Sequence, residues 1–146
     1  MKAIQFTATG GPEVLEVVDL PAPVAGPGQV LVRQQAIGIN FIDTYHRSGL
    51  YPVKLPSRLG MEGAGLVEAV GEGVTRFKAG DLIAYASGPL GAYAELHAVV
   101  AERAVRLPEG VDAATGAAAM LKGMTAEFLL RRCYPVKAGE TILVHA

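Results

Sequence analysis

Glycine and proline set the strongest constraint on this chain. Through the first 110 residues they interrupt one short apolar run after another, so little of it can lengthen into helix. Residues 2–6 alternate as a strand, Gly10-Gly11-Pro12 reads as a turn, and residues 15–19 return to complete an N-terminal hairpin. Pro21, Pro23, Pro27 and Gly28 then make an extended crossing loop. Residues 30–38 form a longer strand and residues 63–70 another, cut off by Gly71 and Gly73. A turn at residues 77–81 leads into a strand over 82–85. After a glycine-rich stretch at 87–91, residues 92–100 place Tyr93, Glu95 and His97 in alternation with Ala94, Leu96 and Ala98. A short run at 105–107 stops at Pro108. Many short strands at regular spacing predict a mainly β fold, a closed or nearly closed barrel.

The pattern changes after Pro108-Glu109-Gly110. Asp112 is a good N-cap for a run of helix formers over residues 113–132, closed by basic Arg131 and Arg132 and stopped by Pro135. Residues 141–144 are apolar enough for a strand buried on both faces, as in a parallel sheet. The spacing thus predicts two units: residues 1–111, and residues 112–146 as the start of an α/β domain whose remainder lies outside this chain.

Composition narrows the class. An apolar fraction of 51% suits a packed core, and a net charge of −1 with scattered charges gives no reason to expect nucleic acid or an anionic membrane as partner. No stretch approaches the roughly 18 apolar residues of a membrane span, and the polar start is unlike a secretory signal. Cys133 is the one cysteine, which excludes an internal disulfide framework and a multi-cysteine zinc site. A soluble cytoplasmic protein is expected. The chemistry is expected in residues 38–65, read as a loop between two strands. It carries Asn40, Asp43, Tyr45, His46, Arg47 and Tyr51 in a dense polar and aromatic set.

Several motifs carry a resemblance: Gly11-Pro12-Glu13-Val14-Leu15, Gly38-Ile39-Asn40-Phe41-Ile42-Asp43, Arg47-Ser48-Gly49-Leu50-Tyr51-Pro52, Ala79-Gly80-Asp81 and Leu121-Lys122-Gly123-Met124-Thr125. In these the sequence resembles the zinc-free quinone oxidoreductases of the medium-chain dehydrogenase/reductase superfamily, the group that includes zeta-crystallin. The resemblance implies a GroES-like catalytic domain over residues 1–111 and the opening of a nucleotide-binding Rossmann domain over residues 112–146. It also implies NADPH as cofactor, a small quinone as substrate and a homodimeric parent. The family's glycine-rich nucleotide turn would start just beyond Ala146, so the fragment by itself is expected to be inactive. Zinc-containing relatives place a cysteine where Asn40 stands and a histidine where Met61 stands. Neither an amide nor a thioether is a usual zinc ligand, and no metal is expected even with Glu62 retained.

Each candidate has a plainer reading beside its functional one. Asn40 either bonds the cofactor or a quinone oxygen, or ties the loop to its own backbone. The resemblance places Tyr45 at the nicotinamide-ribose end, against a packing role, and sets Tyr51 at the quinone pocket, against simply covering the loop. Asn40, Tyr45 and Tyr51 form the expected catalytic set. Phe41, Ile42, Asp43, Thr44, Tyr45, Thr125 and Phe128 are expected to touch the cofactor. Of these, Phe41 and Ile42 suit apolar walls, Asp43 suits a brace for the loop, and Thr125 competes with bonding back to its own helix. His46 and His97 read as solvated, and Cys133 as an ordinary helix residue. Two other readings stay open: reduction of an activated alkene such as an enone, and a non-catalytic GroES-like binding or structural module.

Overall fold

The computed structural model describes residues 1–145. Eight strands form in chain order: β1 (Lys2–Phe6), β2 (Glu16–Asp19), β3 (Gln29–Ile37), β4 (Ser57–Arg58), β5 (Glu62–Val70), β6 (Leu82–Ala86), β7 (Leu96–Val100) and β8 (Ala104–Arg106). Two α-helices accompany them among the described residues, α1 (Phe41–Ser48) and α2 (Ala113–Glu127). The strands make two antiparallel sheets, ordered β2-β1-β4 and β7-β3-β5-β6-β8. A single bridge between Ala3 and Ala94 joins them, flanked by Ile4 N–H to Tyr93 O at 2.8 Å and Glu95 N–H to Lys2 O at 3.0 Å. The mainly β expectation holds at this level.

Alternation decides what each strand buries. On β3, Val30 and Val32 point inward, where they join Val67, Phe77, Ile83, Tyr85 and Val99 in the main core. The first half of β5 is buried on both faces because α2 lies across it. Ala64 and Ala84 meet Ala113 and Ala117 there. Small side chains let helix and sheet approach closely; a Cβ at Gly116 would sit 2.8 Å from Leu107 Cδ1. Asp112 caps the helix as expected, its Oδ1 accepting from Thr115 N–H at 2.8 Å.

Five expectations need correction. The central stretch is not all loop: residues 41–48 are helical, with Asp43 satisfying the Asn40 N–H at the start and Gly49, at φ +85°, ending the helix. The long helix keeps regular α geometry only to Glu127; Phe128–Cys133 winds on as a wider π-type turn, and Cys133 sits there rather than on an α-helix. Residues 141–144 form no strand, and Leu143 and Val144 stand exposed. A parallel strand needs a neighbour to satisfy its backbone, and none lies beside it among the described residues. Strand β7 begins only at Leu96, since residues 92–95 cross between the sheets. Finally, His97 is not solvated: it is 1% exposed, with its ring 5.7 Å from that of Tyr85.

Two predictions arise here. The β3–β5 register shifts between Gln34 and Ala36, opposite Gly65, and a Cβ at Gly65 would collide with the Arg33 carbonyl oxygen. Gly65→Ala is therefore expected to destabilise by about 1–3 kcal/mol; an unchanged urea midpoint would refute the close approach. His97 Nε2 lies 3.1 Å from the Pro89 carbonyl, so the proton sits on Nε2, and buried Nδ1 has no partner. Burial first, then the Arg58 charge, pulls the imidazole pKa down to about 4. The folded imidazole stays neutral while the unfolded one protonates below its ordinary value of 6.5. Stability contributed by this group is complete above pH 6.5 and is lost as pH falls towards 4, by roughly 3 kcal/mol. Unfolding titrations across that window should show the slope in the natural chain and a flatter one in His97→Gln.

Candidate active site

The site is built where α1 begins, where β5 begins and where α2 nears its end. Asn40 precedes α1 with an extended backbone, which frees its side chain to turn away from the helix. Its Nδ2 donates to Glu62 Oε2 at 2.8 Å, and its Oδ1 accepts from Lys122 Nζ at 2.9 Å. Glu62, the first residue of β5, has no exposed surface. Its Oε1 accepts the Leu121 backbone N–H of α2 at 2.6 Å, and its Oε2 also accepts from Lys122 Nζ at 3.2 Å. A buried carboxylate must be compensated, and here three donors do so, one from the residue before α1 and two from α2. Gly38 leaves the necessary room: a Cβ there would collide with Glu62 Oε2 and lie 2.6 Å from Ala117 O.

Asp43 lies one layer below, 4% exposed. Its Oδ2 takes the Asn40 N–H at 2.9 Å and the Tyr93 hydroxyl at 2.7 Å, while Oδ1 is buried without a partner. Burial, then the Asp43 carboxylate, pushes the Tyr93 phenol well above its ordinary pKa, so it stays a donor. Asp43 is thus the expected brace. The sequence did not single out Tyr93, which reaches it from 50 residues away.

Above this floor opens a cleft of about 1030 Å³. Among the expected site residues, Asn40, Phe41, Ile42, Thr125 and Phe128 line it together. The others do not. Asp43 is buried beneath, Thr44 Oγ1 donates to Phe41 O at 2.7 Å, and Tyr45 and Tyr51 pack on each other outside with ring centres 5.4 Å apart. Thr125 shows its plainer role, donating to Leu121 O at 2.8 Å. Asn40 does more than tie the start of α1 to its own backbone: its side chain also bonds two distant charged side chains. Sequence reasoning also passed over Lys122 and Ser87 as lining residues. Ser87 holds a left-handed backbone at φ +58°, unusual for a side-chain-bearing residue. Among the described residues, no three His, Cys, Asp or Glu side chains gather to hold a metal ion. The arrangement is a slot with apolar walls and one ammonium at its polar end, suited to a flat, weakly polar molecule that gains negative charge.

The alcohol dehydrogenase GroES-like domain family matches residues 26–109, more than half of the chain. The chain belongs to that family. Over 146 residues it is 62% identical to a quinone oxidoreductase of Pseudomonas aeruginosa, covering 99% of this chain and 45% of that protein. The crystal structure of Escherichia coli quinone oxidoreductase complexed with NADPH superimposes with a TM-score of 0.94 at 47% identity, over 96% of this chain and 43% of the other. A 2-haloacrylate reductase of a Burkholderia species is 43% identical over 145 residues, 94% of this chain and 43% of the relative. The chain therefore spans less than half the length of these relatives. No helix among the described residues is long and apolar enough to cross a membrane.

The brace under α1 gives a prediction. Tyr93→Phe removes one of two donors to a buried carboxylate and should destabilise by about 1–3 kcal/mol. An unfolding free energy equal to that of the natural chain would show that the Asp43–Tyr93 bond contributes nothing net.

Proposed function

We propose that this chain is the N-terminal, substrate-side part of a metal-independent NADPH:quinone oxidoreductase. In this reading residues 1–111 close as a GroES-like barrel and form the catalytic domain, and residues 112–146 open a nucleotide-binding Rossmann domain. The observation that carries it is the cleft itself, walled by Phe41, Ile42 and Phe128, with Asn40 and Lys122 at one end. It occurs in a chain 62% identical to a quinone oxidoreductase. Support for a further domain comes from the exposed apolar surface at Phe128 (53%), Leu129 (52%), Leu143 (81%) and Val144 (75%), large side chains that a soluble domain rarely leaves uncovered together.

The cleft suits the nicotinamide end of NADPH. It has room for two stacked rings, a polar corner for a carboxamide near Asn40 and Thr125, and apolar walls. When bound, the nicotinamide supplies the hydride. The chain's own residues bind and orient. Phe41 and Ile42 hold the rings flat, and Asn40 offers its second Nδ2 hydrogen to a carbonyl oxygen. Tyr45, propped against Tyr51 outside the cleft, meets the cofactor and quinone in this reading where they emerge at the edge of α1. Reduction makes a charge-delocalised hydroquinone anion that takes its proton from water, so no strong acid is required. The resident cation of Lys122 favours such a charge. Homodimerisation and a cytoplasmic location belong to this reading of the whole protein. A second reading, reduction of an activated alkene, is favoured by the 43% identity to a protein named for 2-haloacrylate, since an alkene conjugated to a carboxylate accepts hydride with the same geometry.

The complete protein should oxidise NADPH when supplied with p-benzoquinone, and faster than with cyclohexenone; the reverse order would select the alkene reading, and no turnover with either would refute both. Tyr45→Phe in that protein should lower kcat/KM for the quinone by about tenfold at most, the loss of one neutral donor. A loss beyond about a thousandfold with the fold intact would make Tyr45 an obligatory acid. The 146-residue chain alone should bind NADPH weakly or not at all by titration calorimetry.

A further inference from the structure

Lys122 belongs to none of the candidate roles read from the sequence, yet its ammonium makes three contacts at the polar end of the cleft: Ile39 O at 3.3 Å, Asn40 Oδ1 at 2.9 Å and Glu62 Oε2 at 3.2 Å. All three of its hydrogens have an acceptor, so it is a fixed cation rather than a free one. Its side chain is half exposed, while that of Glu62 is wholly buried. The pair therefore runs from the protein interior to the cleft wall, where Lys122 and Asn40 both stand. An amide is chemically two-ended. With Oδ1 towards the ammonium and Nδ2 towards the carboxylate, both ends of Asn40 make charge-assisted bonds. Turning the amide over would set its hydrogens against the ammonium and its oxygen against the carboxylate.

We propose that Lys122 is a positioning residue of this site, whose ammonium fixes the Asn40 amide with its second Nδ2 hydrogen free to meet an acceptor in the cleft. That hydrogen has no partner among the described residues. The inference rests on the quinone-reductase reading, in which the acceptor is the carbonyl oxygen that becomes negative. Glu62 accepts only, so it draws the Nδ2 end towards itself but holds the amide at that end alone. Lys122 clamps the opposite end at Oδ1, so the amide is held at both ends against flipping and tilting, and the reach of a lysine from α2 to the residue before α1 makes the helix part of the site's alignment.

The test is a double-mutant cycle in the complete protein. Lys122→Met should lower kcat with p-benzoquinone at saturating NADPH by about 10–100-fold through the loss of its charge-assisted bond to Asn40, with the KM for NADPH little changed. Lys122→Arg should retain most of kcat. In an Asn40→Ala background the same Lys122→Met change should cost less than about threefold, because the group it orients is gone. Should Lys122→Met not fold, Lys122→Gln, which keeps a donor but no charge, is read in the same cycle. Side-chain amide exchange followed by NMR gives a readout that needs no activity: the Asn40 amide should exchange about tenfold faster without the Lys122 ammonium, the loss of roughly one such bond. Additive kcat losses, or an Asn40 amide unaffected by the substitution, would overturn the proposal. A natural protein inactive towards every quinone and enone would overturn only the functional reading, and the amide exchange would still decide the role of Lys122.

Discussion

A single buried carboxylate holds the site together. Glu62 has no exposed surface, and a charge in that position is tolerable only while its donors stay in place. Those donors come from the residue before α1, from the backbone of α2 and from a side chain of α2. The strand, the short helix and the long helix are thus tied at one point. Losing any one contact leaves the same charge undercompensated, so the three elements share a common dependence. The collision that any side chain at Gly38 would make with this carboxylate shows how little slack surrounds it.

Helix α2 meets these demands because of what it lacks. Its sheet-facing surface is Ala113, Gly116 and Ala117, and bulkier residues would lift the axis away from β5 and β6. Close approach brings the Leu121 N–H within 2.6 Å of Glu62. Packing of the smallest side chains in the chain therefore sets the geometry of its most polar contact.

The strands were readable because alternation and turn residues act locally. Val30 and Val32, two apart, could be assigned inward before any contact was known, and Gly71 and Gly73 ended the strand that they follow. Elements failed to read where a longer-range partner decided the outcome. The apolar run at 141–144 has strand composition and no neighbour to pair with. His97 looked solvated because alternation assigns one face of a strand to water, whereas β7 is covered on the side where Tyr85 lies. Helix α1 is only eight residues long, little more than two turns inside a stretch rich in glycine and proline; the pairing of Asn40 with Asp43 three residues on, and Gly49 after the last turn, marked its ends. Within the site, Asn40, Phe41 and Ile42 were found as neighbours in sequence. The contact between Lys122 and Glu62 spans 60 residues and leaves no trace in local pattern.

Tyr93 belongs to two structures at once. Its carbonyl accepts from Ile4 at the narrow seam between the sheets, and its hydroxyl holds Asp43 beneath α1. The seam between the sheets and the start of α1 therefore share one residue. Such coupling is reciprocal by thermodynamic necessity. Whatever fixes Asp43 at the start of α1 also fixes the phenol bonded to it, and Tyr93 carries that restraint to the seam with the N-terminal hairpin. Conversely, a loosened hairpin carries its slackness through one phenol into the floor of the cleft.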